Sequence, residues 1–82
     1  MRVVKRIPHE RFLIEVHQYN QKYLLNITLD HYVQTFKISD DLVENLDVFE
    51  NLVNSEFLQS CLKRFVSMRT DFINEFNKYR NE

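Results

Sequence analysis

Residues 12–38 alternate apolar and polar side chains through three consecutive runs, and the alternations agree on one face when the runs lie side by side as antiparallel strands. With turns at Asn20-Gln21 and Asp30-His31, each residue meets a partner whose side chain points the same way. Phe12 then faces Leu29, Ile14 faces Ile27, Val16 faces Leu25 and Gln18 faces Tyr23. Across the second turn Leu29 faces Tyr32, Ile27 faces Gln34, Leu25 faces Phe36 and Tyr23 faces Ile38. Gln18 and Gln34 alone interrupt the apolar set. The opposite parity is polar apart from Leu13, Leu24, Val33 and Tyr19. Two-residue turns of this kind need positive φ, and a chain without glycine must find it at Asn20 and Asp30 or open its loops to four residues.

The preceding segment, Arg2-Val3-Val4-Lys5-Arg6-Ile7, reads as a short edge strand turned by Pro8-His9-Glu10, the one proline of the chain. Neither of its registers gives a clean apolar face. Its cations discourage pairing with a second molecule. At Ser39 the hydrophobic period changes from two to about 3.6. Ser39 as N-cap, Asp40 and Asp41 in the first turn and an Ile38–Val43 staple predict a helix over residues 40–52, with Leu42, Leu46, Phe49 and Val53 as its stripe. Asn54 then caps a second helix, stapled by Val53 and Leu58. Leu58, Cys61, Leu62, Phe65, Met68, Phe72, Phe76 and Tyr79 carry its apolar face to about Arg80.

These elements predict a single α+β domain over residues 1–82 in two layers. A three- or four-stranded antiparallel meander (1–38) is followed by a short acidic helix (39–54) and a long amphipathic helix (55–80), both packed on one face of the sheet. The expected core sets Phe12, Ile14, Val16, Tyr23, Leu25, Ile27, Leu29, Tyr32, Phe36 and Ile38 against Leu46, Phe49, Leu58, Leu62, Phe65, Phe72 and Phe76. A helix of about 25 residues runs nearly 40 Å, whereas an eight-residue strand spans about 27 Å. The last turns of the long helix therefore outreach the sheet. Phe72, Phe76 and Tyr79 there, with Leu13, Leu24 and Val33 on the outer sheet face, are the candidate partner-binding residues, the partner being another protein or a second copy.

Charge narrows the partners. The net charge is −1, which provides no strong long-range attraction to nucleic acid or an anionic membrane. Arg2, Lys5, Arg6 and Arg11 form the densest basic group and are the residues a nucleic-acid reading would use, but only Tyr19 offers an exposed ring for base stacking. One cysteine excludes an internal disulfide, no early apolar run resembles a signal peptide, and no stretch reaches the roughly twenty apolar residues of a membrane span. The expected compartment is the cytoplasm.

Catalytic and metal chemistry find little support. His9, His17 and His31 fall in a turn, on the outer face and in a hairpin, none at ligand spacing from another. Cys61 lies on the apolar stripe, where a thiol behaves as a small hydrophobe. Asp40, Asp41, Glu44, Asp47 and Glu50 lack the mid-loop glycine and the ligand alternation of a calcium loop and read as a solvated helix face. The absence of glycine removes phosphate-cradling loops. No enzyme activity, cofactor or metal is expected.

Overall fold

In the computed structural model, which describes residues 2–80, four strands form one antiparallel sheet in the order of the chain. They are β1 (Arg2–Ile7), β2 (Leu13–Tyr19), β3 (Lys22–Leu29) and β4 (Tyr32–Ser39), followed by α1 (Asp47–Leu52) and α2 (Ser55–Arg80). The registers match the alternation: Ile14 pairs with Ile27, Val16 with Leu25 and Gln18 with Tyr23, then Leu25 with Phe36 and Tyr23 with Ile38. Asn20, Gln21 and Asp30 have φ of 50°, 63° and 55°. Both residues of the first turn are thus left-handed, a conformation that strains Gln21 more than Asn20, whose short side chain tolerates it.

The fourth strand is present, and a bulge explains why neither of its registers was apolar. Val3 pairs with His17 but Lys5 pairs with Val16, so Val4 is an extra residue. The slip turns both Val4 and Ile7 toward the core. It also places Lys5 on the inner side, where its Nζ lies 3.1 Å from Glu50 Oε1 and 3.6 Å from Asp47 Oδ1 of α1.

The predicted helix over residues 40–52 is broken in two. Ser39 ends β4 and makes no side-chain cap, and residues Asp40–Leu42 form only a 3-10 turn. Val43 is then extended (φ −113°, ψ 112°) and buried, while Leu42, assigned to the helical stripe, is 72% exposed. A continuous helix from residue 40 cannot bring Val43 and Phe49 to the core together, since six residues rotate a helix by about 240°. The chain instead restarts at Asn45, whose Oδ1 accepts the Asp47 N–H at 2.9 Å.

The long helix spans the predicted residues. Asn54 Oδ1 accepts the Phe57 N–H at 2.9 Å, and Val53 and Leu58 are buried together. Phe12, Ile14, Val16, Leu25, Ile27, Val43, Phe49, Val53, Leu58, Cys61 and Phe65 form one core cluster. Phe65 stacks on Phe12 with centroids 6.0 Å apart, and Tyr23 meets Phe49 edge-on at 5.6 Å. Tyr23, Leu29, Tyr32, Ile38, Leu46 and Leu62 pack around this centre half-buried. Three members of the expected core are not in it: Phe36, on an edge strand with no further strand beside it among the described residues, and Phe72 and Phe76, past the end of the sheet.

Candidate interaction surfaces

The sheet holds α2 only through its first half. Leu58, Cys61 and Phe65 are buried and Met68 is half-buried, but every residue from Arg69 to Arg80 is exposed. The stripe itself does not stop there. Phe72 meets Tyr32 of β4 edge-on at 6.4 Å, Phe76 stacks on Phe72 at 6.1 Å, and Tyr79 lies 6.4 Å from Phe76. Phe72, Phe76 and Tyr79 are 60%, 49% and 76% exposed, and Ile73 lies beside them. The projection stretches the molecule to 51 × 28 × 18 Å, with a radius of gyration of 15.1 Å. A compact chain of this length would have about 12 Å.

The other candidate surface is divided. On the outer sheet face Leu13, Thr28 and Val33 share one cross-strand row, and His17, Leu24 and Lys37 share another. Between them lies the polar row Glu15, Asn26 and Thr35, in which Thr35 Oγ1 donates to Asn26 Oδ1 at 2.7 Å. Leu13 and Val33 are exposed and Leu24 is half-buried. The three are therefore two separate spots on a polar face.

The basic group is partly used inside the molecule. Lys5 bridges to α1, and Arg6 Nε donates to Glu15 Oε2 at 2.9 Å. Arg2 and Arg11 lie at different ends of the sheet's edge region, so the four cations form no continuous strip. Two of the acidic candidates, Asp47 and Glu50, hold Lys5, and their charge raises its pKa above the ordinary 10.5, chiefly through the hydrogen bond to Glu50.

The histidines stay apart, and among the described residues no three His, Cys, Asp or Glu side chains form a metal-sized group. His9 is a turn residue: its Nδ1 accepts the N–H groups of Arg11 at 3.0 Å and Phe12 at 3.3 Å, and its ring packs on Phe12. It borders a shallow groove of about 500 Å³ with Val53, Leu58 and Leu62. His17 Nε2 sits 3.4 Å from Glu15 Oε1 on the outer face, and His31 occupies the second turn. Cys61 is fully buried. Among the described residues no helix is long and apolar enough to cross a membrane.

Two features at β4 lay beyond sequence reasoning. The first is a polar clamp: Gln34, buried among apolar residues, donates through Nε2 to the Cys61 carbonyl at 2.9 Å and accepts from Arg64 Nε at 2.8 Å. Arg64 Nη2 also reaches Cys61 Sγ at 3.2 Å, and its guanidinium lies 5.9 Å from the centre of the Phe36 ring. The break in alternation at Gln34 was its only signal. The second is an apolar cleft of about 240 Å³ between the β4 edge and the helices, lined by Leu25, Phe36, Ile38, Phe49, Leu52 and Phe57 with Lys37 at its lip. No protein-family profile, curated protein or solved structure matches the chain.

Proposed function

We propose that this chain is a non-catalytic protein-interaction module of the cytoplasm whose projecting α2 end packs against a second copy of itself. The observation that carries the reading is the unbroken apolar stripe, which is buried or half-buried up to Met68 and then continues largely exposed through Phe72, Phe76 and Tyr79, with Tyr32 touching only the first of these rings. Large clustered apolar side chains in water are the usual mark of a binding surface. The cytoplasmic assignment follows the cysteine usage of the sequence, which offers no disulfide framework of the kind small secreted domains use.

Geometry favours one arrangement of two copies. The sheet occupies the same stripe in the first half of α2, so a parallel partner helix would run into it. An antiparallel partner lays its own projecting half, about 18 Å long, along residues 69–80 and carries its sheet beyond them. The exposed parts of Phe72, Ile73, Phe76 and Tyr79 amount to roughly 450 Å² per copy, about 900 Å² in all. That falls short of the about 1,200 Å² of a stable interface, so the association is weak and reversible.

Sedimentation velocity over a concentration series tests this. The expected result is a reversible monomer–dimer equilibrium, in the high micromolar range or weaker. Phe72→Glu combined with Phe76→Glu abolishes it and leaves the far-UV spectrum intact, because neither ring belongs to the core. A monomer at every concentration up to about 1 mM overturns the proposal.

A further inference from the structure

The two edges of the sheet are built differently. At β1 the bulge at Val4, the flanking Arg2 and Arg6 and the inward Lys5 all oppose pairing with another strand. β4 has eight residues, no proline, no bulge and no inward charge, and Lys37 is its sole ionisable lysine, arginine or carboxylate. Its backbone is also open. The Asp40 N–H donates to the Gln21 carbonyl at 3.0 Å, which fixes the phase of the β3–β4 ladder. Ile38, Phe36, Gln34 and Tyr32 then bond to β3, so the N–H and C=O groups of Val33, Thr35, Lys37 and Ser39 point away from the sheet. Among the described residues none of these outward groups has a hydrogen-bond partner outside its own strand pairing.

The apolar cleft opens beside this edge. Phe36 is 36% exposed and Leu52 46% exposed at its mouth, and Phe57 lies against Phe36 at 5.4 Å. Two cations without a carboxylate partner among the described residues flank this edge from opposite sides, Arg64 beside the Phe36 ring on the helix side and Lys37 on the outer sheet face in the row of His17 and Leu24.

We infer that β4 is a docking edge for an extended peptide segment of another protein. That segment adds as a fifth strand, places one large apolar side chain in the Phe36–Phe57–Leu52 cleft and, at the alternate positions that face the outer side of the sheet, sets acidic residues beside Lys37. An outward row of amides and carbonyls is satisfied by an extended backbone, which supplies affinity, and the adjoining cleft reads alternate side chains. Lys37, without a carboxylate partner among the described residues, supplies the preference for carboxylates at those positions. The surface is distinct from the α2 tip and does not depend on self-association.

The test uses the Phe72→Glu/Phe76→Glu chain, so that self-association at the tip is absent, and a blocked nonapeptide of sequence Thr-Glu-Val-Glu-Leu-Glu-Val-Thr-Glu as probe. In a ¹H–¹⁵N titration, Val33, Thr35 and Lys37 amides shift and become protected from exchange, and in the matching ¹H–¹³C spectra the ring signals of Phe36 and Phe57 move alongside. Thr35→Pro removes one outward N–H where an edge strand tolerates proline and weakens binding at least about tenfold. Leu52→Glu, in the exposed mouth of the cleft, does the same and serves if the proline variant unfolds. Proline in place of the central leucine of the probe abolishes binding. No shift at about 1 mM peptide overturns the inference, as do equal shifts with the proline-containing probe. Broadening of β4 amides with protein concentration alone would assign the edge to a second copy and overturn the foreign-peptide reading.

Discussion

Gln34 can be replaced in two ways that separate its hydrogen bonds from its packing. Gln34→Ala removes a bond to a neutral carbonyl, worth about 1 kcal/mol net, and a charge-assisted bond from Arg64, worth about 2 kcal/mol in a buried setting. Arg64 is exposed and regains water, which discounts the second term to about half. The deletion also leaves a hole at a position only 8% exposed, between the rows of Ile27 and Cys61. A loss of roughly 2–3 kcal/mol follows for alanine. Gln34→Leu fills the same space with apolar atoms. The Cys61 carbonyl lies within α2, where the helical ladder provides another donor, so no acceptor is stranded. Leucine loses the same two bonds, worth about 2 kcal/mol together, but burial of its side chain, worth about 1.5–3 kcal/mol, offsets most of that, so the leucine chain should be within about 1 kcal/mol of the parent. Urea unfolding followed by far-UV circular dichroism measures both, and the variants should differ by at least about 1 kcal/mol at a common slope. A leucine variant as unstable as the alanine variant would refute the reasoning, since polar bonding rather than filled volume would then anchor α2 to β4.

Two further outcomes follow from the contacts of Lys5 and Asn54. The bridge from Lys5 to Glu50 and Asp47 raises the lysine pKa, so its stabilisation is complete below 10.5 and disappears as pH rises through the higher folded-state value. The melting-temperature gap between the parent and Lys5→Met should thus stay constant up to about pH 10 and close above 10.5; a gap that widens there would reverse the sign of the linkage. Asn54→Ala should cost about 1 kcal/mol through loss of the bond to the Phe57 N–H, with Asn54→Ser restoring most of it, checked by thermal melts of the three chains.

Where structure is dictated locally, the sequence was informative. The strand pairing from Leu13 to Ser39 follows from a period of two and turns of two residues, because a slip by one would expose Ile14, Leu25 and Ile27 together. The extent of α2 follows from one cap and one continuous stripe, and strand length against helix length already foretold that its last turns outrun the sheet. Reading failed where a distant neighbour decides. Val43 leaves a helical pattern to fill the core beside Phe49, Val4 bulges to bring Ile7 inward, and Lys5 turns toward carboxylates more than forty residues away. None of these choices changes the local period. The outer-face candidates failed for a simpler reason: Leu13, Leu24 and Val33 have one parity but not one row, and Asn26 with Thr35 divides them.

The strand order of the sheet repeats the order of the chain, and that has a consequence for synthesis. The connections between β1 and β2, β2 and β3, and β3 and β4 are five, two and two residues, so the meander can zip up as it emerges from the ribosome, with little entropy lost to loop closure. Its greasy side, however, stays wet until residues 58–65 are translated and docked. At about 5–20 residues per second that interval lasts a few seconds, and it is in those seconds that a nascent chain of this kind is most exposed to aggregation and to holding chaperones.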